Sequence, residues 1–133
     1  MAEMYVVIYL NSDGWDVPHW CLWTRDDDGN ELIFEALGST GTRFTYHSRP
    51  VDMLKSESRK TTPHIGRIEA DVWDEVPELL EGVPMNNDDP AWNCQNWIME
   101  AIQALQREGY LEEDEEGLSY IRHWYQQRTD AYP

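Results

Sequence analysis

The stretch DPAWNCQNWIMEAIQALQREG, Asp89 to Gly109, decides how this chain is read. Cys94, Trp97, Ile98, Ala101, Ile102 and Leu105 recur at three- and four-residue spacing, the period of a helix that buries one face. The run Asn86-Asn87-Asp88-Asp89 offers a cap, Pro90 suits the first helical position, and Gly109 is placed to end the helix at C′. The pattern predicts a helix from Pro90 to about Glu108 with a single buried stripe, and Cys94 belongs to that stripe about one turn from its start.

Outward from this helix the chain changes period. Met4 to Leu10 (MYVVIYL) is a β-branched and aromatic run of strand length, closed by the turn-forming Asn11-Ser12-Asp13-Gly14, and reads as a central strand. His19 to Thr24 (HWCLWT) is a second aromatic strand, and the polar turn Asp26 to Asn30 leads into Glu31 to Leu37, completing a hairpin. Gly38-Ser39-Thr40-Gly41 reads as a turn before Thr42 to His47, where Phe44 and Tyr46 alternate with polar neighbours. Residues 48 to 64 carry Pro50 and Pro63 and no sustained periodicity, which predicts a mobile loop. Ile65 to Ala70 is a further strand, Val72 to Leu80 a short helix interrupted by Pro77, and Leu118 to Arg128 a second, shorter helix. The sum is an α+β fold: a small antiparallel sheet packed on the helix that carries Cys94.

A chain of 133 residues suits one domain over 1–133, because two independent cores would each be too small to offset chain entropy comfortably. Seven Trp and seven Tyr exclude a disordered acidic tail. No apolar stretch approaches the length of a membrane span, and Met1 to Leu10 lacks the features of a secretion signal, so a cytoplasmic protein is expected. With 26 acidic against 10 basic residues the formal charge is −16, which repels a nucleic-acid backbone. The charge is uneven. Glu69 to Asp89 holds eight carboxylates without a Lys or Arg, and Glu112 to Glu116 is five acids in a row. Six of the ten basic residues, Arg43, Arg49, Lys55, Arg59, Lys60 and Arg67, crowd into 25 positions. The plain reading is a solvated acidic surface with one basic loop; the functional one makes Arg59 and Lys60 binders of an anionic small-molecule or peptide substrate.

Two cysteines in a reducing compartment are expected to stay thiols. His19, His47, His64 and His123 lie far apart and no Cys-x-x-Cys or His-x-x-x-His spacing occurs, so neither a metal nor another cofactor is expected. A thiol becomes a good nucleophile when a helix N-terminus and an imidazole favour its thiolate. Cys94 near a helix start meets the first condition, although a Cys on an apolar stripe is also an ordinary packing residue. Cys21, two residues after His19 on a strand, faces the same way and is a rival thiol, better read as core.

The motifs Pro18-His19-Trp20-Cys21-Leu22-Trp23 and Trp92-Asn93-Cys94-Gln95-Asn96-Trp97 together suggest a known arrangement. A His on an early strand, a polar residue on the next, and a Cys at the start of a later helix resembles the circularly permuted papain-like fold, as in the PPPDE peptidases and the lecithin retinol acyltransferase group. His19-Trp20, Cys94-Gln95-Asn96-Trp97-Ile98 and the trailing Gly109-Tyr110-Leu111 are also similar to a fungal family of small proteins without assigned function, over roughly residues 5 to 111. The resemblance implies Cys94 as nucleophile and His19 as its general base. Glu35, on the strand paired with that of His19, is a candidate third member that orients the imidazole, or else a solvent-facing strand residue. The lecithin retinol acyltransferase pattern has a second His at that place. For an oxyanion hole the backbone N–H of Cys94 is one donor, and Asn11, Asn93, Gln95 and Asn96 are all admissible as the other.

The expected function is cysteine-dependent acyl chemistry, as a hydrolase or acyltransferase acting on an amide, thioester or ester. Two alternatives stand beside it: a non-catalytic binding module using the same cleft, and an acidic inhibitor of a basic or nucleic-acid-binding partner. The sequence leaves the oligomeric state open.

Overall fold

The computed structural model describes residues 1–10, 19–38, 43–55, 60–89 and 91–131. Its strands are β1 (Ala2–Tyr9), β2 (Trp20–Asp26), β3 (Glu31–Leu37), β4 (Thr45–Pro50), β5 (Lys60–Thr61), β6 (His64–Ile68) and β7 (Leu111–Glu113). The helices are α1 (Val76–Glu81), α2 (Cys94–Arg107) and α3 (Glu115–Ala131), with single 3-10 turns at Met53–Lys55 and Trp73–Glu75. The seven strands form one open antiparallel sheet in the order β4-β3-β2-β1-β6-β7, with β5 also pairing β1. The architecture is the expected α+β class, with β1 central.

Alternation along the strands divides their side chains between two faces. Met4, Val6 and Ile8 of β1, Trp20 and Leu22 of β2, and Phe34 and Ala36 of β3 join the main core with Trp97, Ile98, Ala101, Ile102 and Leu105 of α2. Val7, Cys21, Trp23, Ile33 and Met53 form a second, smaller cluster, flanked by Tyr5, Tyr9 and Val51. Helix α2 lies against β2 and β3, and α3 against β6. No helix among the described residues is long and apolar enough to cross a membrane.

The clearest sequence signals hold. Strand β3 spans Glu31–Leu37 as read, and the hairpin partner pairs Leu22 with Phe34 and Thr24 with Leu32. Gly109, at φ +70°, ends α2: its N–H donates to the Gln106 carbonyl and that of Tyr110 to Leu105, closing the carbonyl end of the helix. Two readings need correction. Helix α2 begins at Cys94, with Asn93 as cap. The Asp89 carboxylate instead accepts from the Ala91 N–H and the Asp89 carbonyl from Trp92, forming a separate turn before the helix. Pro90 lies outside the described residues, as do the Asn11-Ser12-Asp13-Gly14 turn and residues 39–42. Residues 48 to 64, read as a loop, contain paired strand: Ser48–Pro50 of β4 lie opposite Phe34–Leu32, and Lys60 and Thr61 opposite Tyr9 and Ile8. The run Thr42 to His47 marked the first half of β4; Ser48–Pro50 escaped because they are exposed residues of an edge strand, which no apolar alternation marks.

Candidate active site

His19 stands immediately before β2, and Tyr9 at the end of β1 takes its carbonyl as a hydrogen-bond acceptor. The paired strand β3 brings Glu35 across, and the His19 Nε2–H donates to Glu35 Oε1 at 2.7 Å. The Glu35 side chain is buried, and thus not a solvent-facing strand residue. From the helix side, Cys94 is the first residue of α2, fixed there by a reciprocal cap: Asn93 accepts from the Gln95 N–H, while the Asn96 side chain accepts from the Asn93 N–H. The Cys94 thiol is hydrogen bonded to His19. An imidazole has two ring nitrogens, so Nε2 on Glu35 leaves Nδ1 for the sulfur. The fold thus brings Cys94, His19 and Glu35 into one chain of contacts.

The electrostatics follow. Burial opposes the His19 charge, but the hydrogen bonds to Cys94 and Glu35, and then electrostatic attraction to the two, outweigh it and raise the imidazole from 6.5 to about 9. His19 is therefore an imidazolium at neutral pH, in contact with both Cys94 and Glu35. The helix start adds the positive end of the α2 dipole to the surroundings of Cys94.

Sequence reasoning missed two neighbours. Tyr9 stacks on the His19 ring, with centroids 5.8 Å apart and planes 20° from parallel, and hydrogen bonds to Cys21. Burial, and then Cys21 and Glu35, push its phenol up to about 12. Arg49 of β4 places Nε 3.9 Å from Glu35 Oε2. A run of basic residues did include Arg49, but only the fold shows that it reaches Glu35: the β3–β4 register sets His47 directly opposite Glu35 and Arg49 opposite Ile33, two residues along on the same face. Cys21 is fully buried, and burial first, then the Glu35 charge, drive its thiol far above the ordinary range, which fits the core role. Neither cysteine takes part in a disulfide.

Of the substrate-binding candidates, Arg59 lies outside the described residues. Lys60 of β5 sits directly opposite Tyr9, and cross-strand partners share a face, so it stands on the Tyr9 side of the sheet. Among the oxyanion candidates, Asn93 and Asn96 are occupied by the cap, and Asn96 also donates to the Tyr125 hydroxyl at 2.7 Å. Asn11 lies outside the described residues.

Neither the curated proteins nor the solved structures gave a match to this sequence. Residues 4–112, which take in most or all of each strand and the whole of the Cys94, His19 and Glu35 cluster, match one family model, and the chain belongs to that family, DUF6540, a family of unknown function.

Proposed function

We propose that the protein performs cysteine-dependent acyl chemistry with Cys94 as nucleophile, His19 as its acid and base, and Glu35 as the group that holds the imidazole. One observation carries the reading: a buried carboxylate and a helix-start thiol meet the same imidazole. The order of these groups along the chain, on an antiparallel sheet, also suits the circularly permuted papain-like arrangement.

In this scheme Cys94 reacts as a thiolate, its proton having passed to His19; the sulfur attacks the carbonyl carbon of an amide, ester or thioester, and the carbonyl π pair moves onto oxygen. Collapse expels the leaving group, which takes the proton carried by His19, and leaves an acyl group in thioester linkage on Cys94. Water or an amine then attacks that thioester while His19 accepts its proton, and the thiolate departs. The Cys94 backbone N–H, which helix geometry directs outward from the first turn, is one donor for the oxyanion. Thiol chemistry of this kind suits a reducing compartment such as the cytoplasm.

The test is residue-resolved labelling. With iodoacetamide under native conditions Cys94 should react well ahead of Cys21, and incubation with a panel of activated esters and thioesters should leave an acyl adduct on Cys94 alone. Labelling of Cys21 first, or of neither thiol, sinks the catalytic reading. The 5% exposure of Cys94 favours a second reading, a binding cleft whose thiol only packs and hydrogen bonds. That reading predicts no acyl adduct with any of the panel.

A further inference from the structure

We infer that Arg49 is the anion-recognition residue of this site, and that its acyl substrates carry a carboxylate or other negative group close to the reacting carbonyl. The inference rests on the acyl-chemistry reading above and names a substrate class for it. Arg49 approaches the Glu35 oxygen that does not hold His19, through Nε and at 3.9 Å, beyond hydrogen-bonding distance. Its side chain is 60% exposed, and among the described residues it makes no hydrogen bond. A long ion pair to an exposed guanidinium stabilises a fold little, and Glu35 already has His19. The terminal nitrogens of Arg49, a planar fork suited to carboxylate, are thus left beside the cluster.

Its charge is felt within the site, where it works against the upward shifts of Tyr9 and Cys21. The setting sharpens the point. A protein with a formal charge of −16 repels anions in general, so an anionic substrate needs a cation at the point of reaction, whereas a neutral one does not. Arg49 comes from β4 on one side of the His19 and Glu35 strands, and Lys60 from β5 on the other, so cations flank the site from two directions.

The probes are iodoacetate and iodoacetamide, which differ in charge at the same reacting carbon. Their rates at Cys94 are compared, each normalised to a free thiol peptide, in the wild-type protein, in Arg49→Gln, in Arg49→Lys and in Arg122→Gln. The last removes the same charge from α3, away from the site. The normalised ratio of iodoacetate to iodoacetamide should fall by about tenfold in Arg49→Gln, the size of one charge-assisted contact. It should recover partly in Arg49→Lys and stay at the wild-type value in Arg122→Gln. An unchanged ratio in Arg49→Gln, or an equal fall in Arg122→Gln, overturns the assignment to Arg49 while leaving Cys94 as nucleophile. A Cys94 that ignores iodoacetamide in the folded wild-type protein overturns the acyl chemistry, and the Arg49 role with it.

Discussion

At the scale of single residues, two histidines show how partners decide what a side chain does. His64 pairs Nε2 with Glu3 at 2.8 Å and Nδ1 with Asp114 at 2.7 Å, so both nitrogens end on carboxylates. His19 has a carboxylate on one nitrogen only and offers the other to a thiol. The first arrangement ties segments together; the second leaves a proton to move. Because the folded pKa of His19 is raised from 6.5 to about 9, its contribution to stability is complete below about pH 6.5 and lost as pH rises through about 9. Melting temperature should therefore decline across that window in the wild-type protein, with a shallower decline in His19→Gln; parallel curves would refute the coupling. Glu35→Gln should slow the alkylation of Cys94, since a neutral amide cannot stabilise the imidazolium as a carboxylate does. Glu35 is buried, so the same change should also lower stability by about 1–3 kcal/mol. An unaltered alkylation rate in a folded Glu35→Gln protein would pass the orienting role to another group. Cys94 and His19 were nominated in the sequence by the resemblance to a family with a strand His and a helix-start Cys, and Glu35 by the pairing of its strand with that of His19, with a solvent-facing role left open for it. Tyr9 and Arg49 were not, because stacking and ion pairing across strands depend on register.

At the scale of elements, the site depends on where α2 begins. An apolar stripe fixes the face of a helix but not its first residue; the cap does that, and a cap sought in Asn86 to Asp89 set the start too early. Asn93 is the cap here, which makes Cys94 the first helical residue rather than one a turn inside. Asn93→Ala should cost about 1 kcal/mol, the usual loss for a missing cap. It should also slow Cys94 alkylation by letting the first turn fray. Full alkylation rate in a destabilised Asn93→Ala protein would show that the thiol does not need the cap. Strand β7 escaped notice because Leu111-Glu112-Glu113 has one apolar residue and no alternation to detect. It is held by β6, where Arg67 lies opposite Glu112 and Ile68 opposite Leu111. The acidic run is thereby partly absorbed into structure: Asp114 accepts from His64 and from the Gly117 N–H, and its carboxyl is held below the ordinary range, with His64 the chief cause. A depressed carboxyl stabilises the fold above its unfolded pKa and loses that effect as pH falls through the folded value. His64→Gln should remove this part of the acid limb of a stability profile, and an unchanged acid limb would show the contact to be idle.

At the scale of the whole molecule, the sheet is held from two directions, by α2 over β2 and β3 and by α3 over β6. These two attachments serve different ends. The first carries Cys94 to His19; the second sets the β6 and β7 side of the sheet, away from the β2 and β3 strands that bear His19 and Glu35. α3 approaches so closely that a Cβ at Gly117 would overlap the carbonyl oxygen of His64. Only a residue without a side chain fits there, a requirement invisible in the sequence, where Gly117 lies between Glu116 and Leu118 like any weak spot in a helix. Gly117→Ala offers better helix propensity but forces α3 away from β6, and overpacking of this kind costs about 1–3 kcal/mol. The substitution should lower the melting temperature and accelerate hydrogen exchange in α3 and β6 first. α2 is seated on other strands and meets α3 through the Asn96 to Tyr125 hydrogen bond and the shared core, so exchange at Trp97 and Ile98 should rise less than exchange in α3 at temperatures below the transition. If Gly117→Ala speeds exchange in α2 as much as in α3, the two attachments form one cooperative unit. If it raises the melting temperature, helix propensity outweighs the close approach and α3 is not pinned at Gly117.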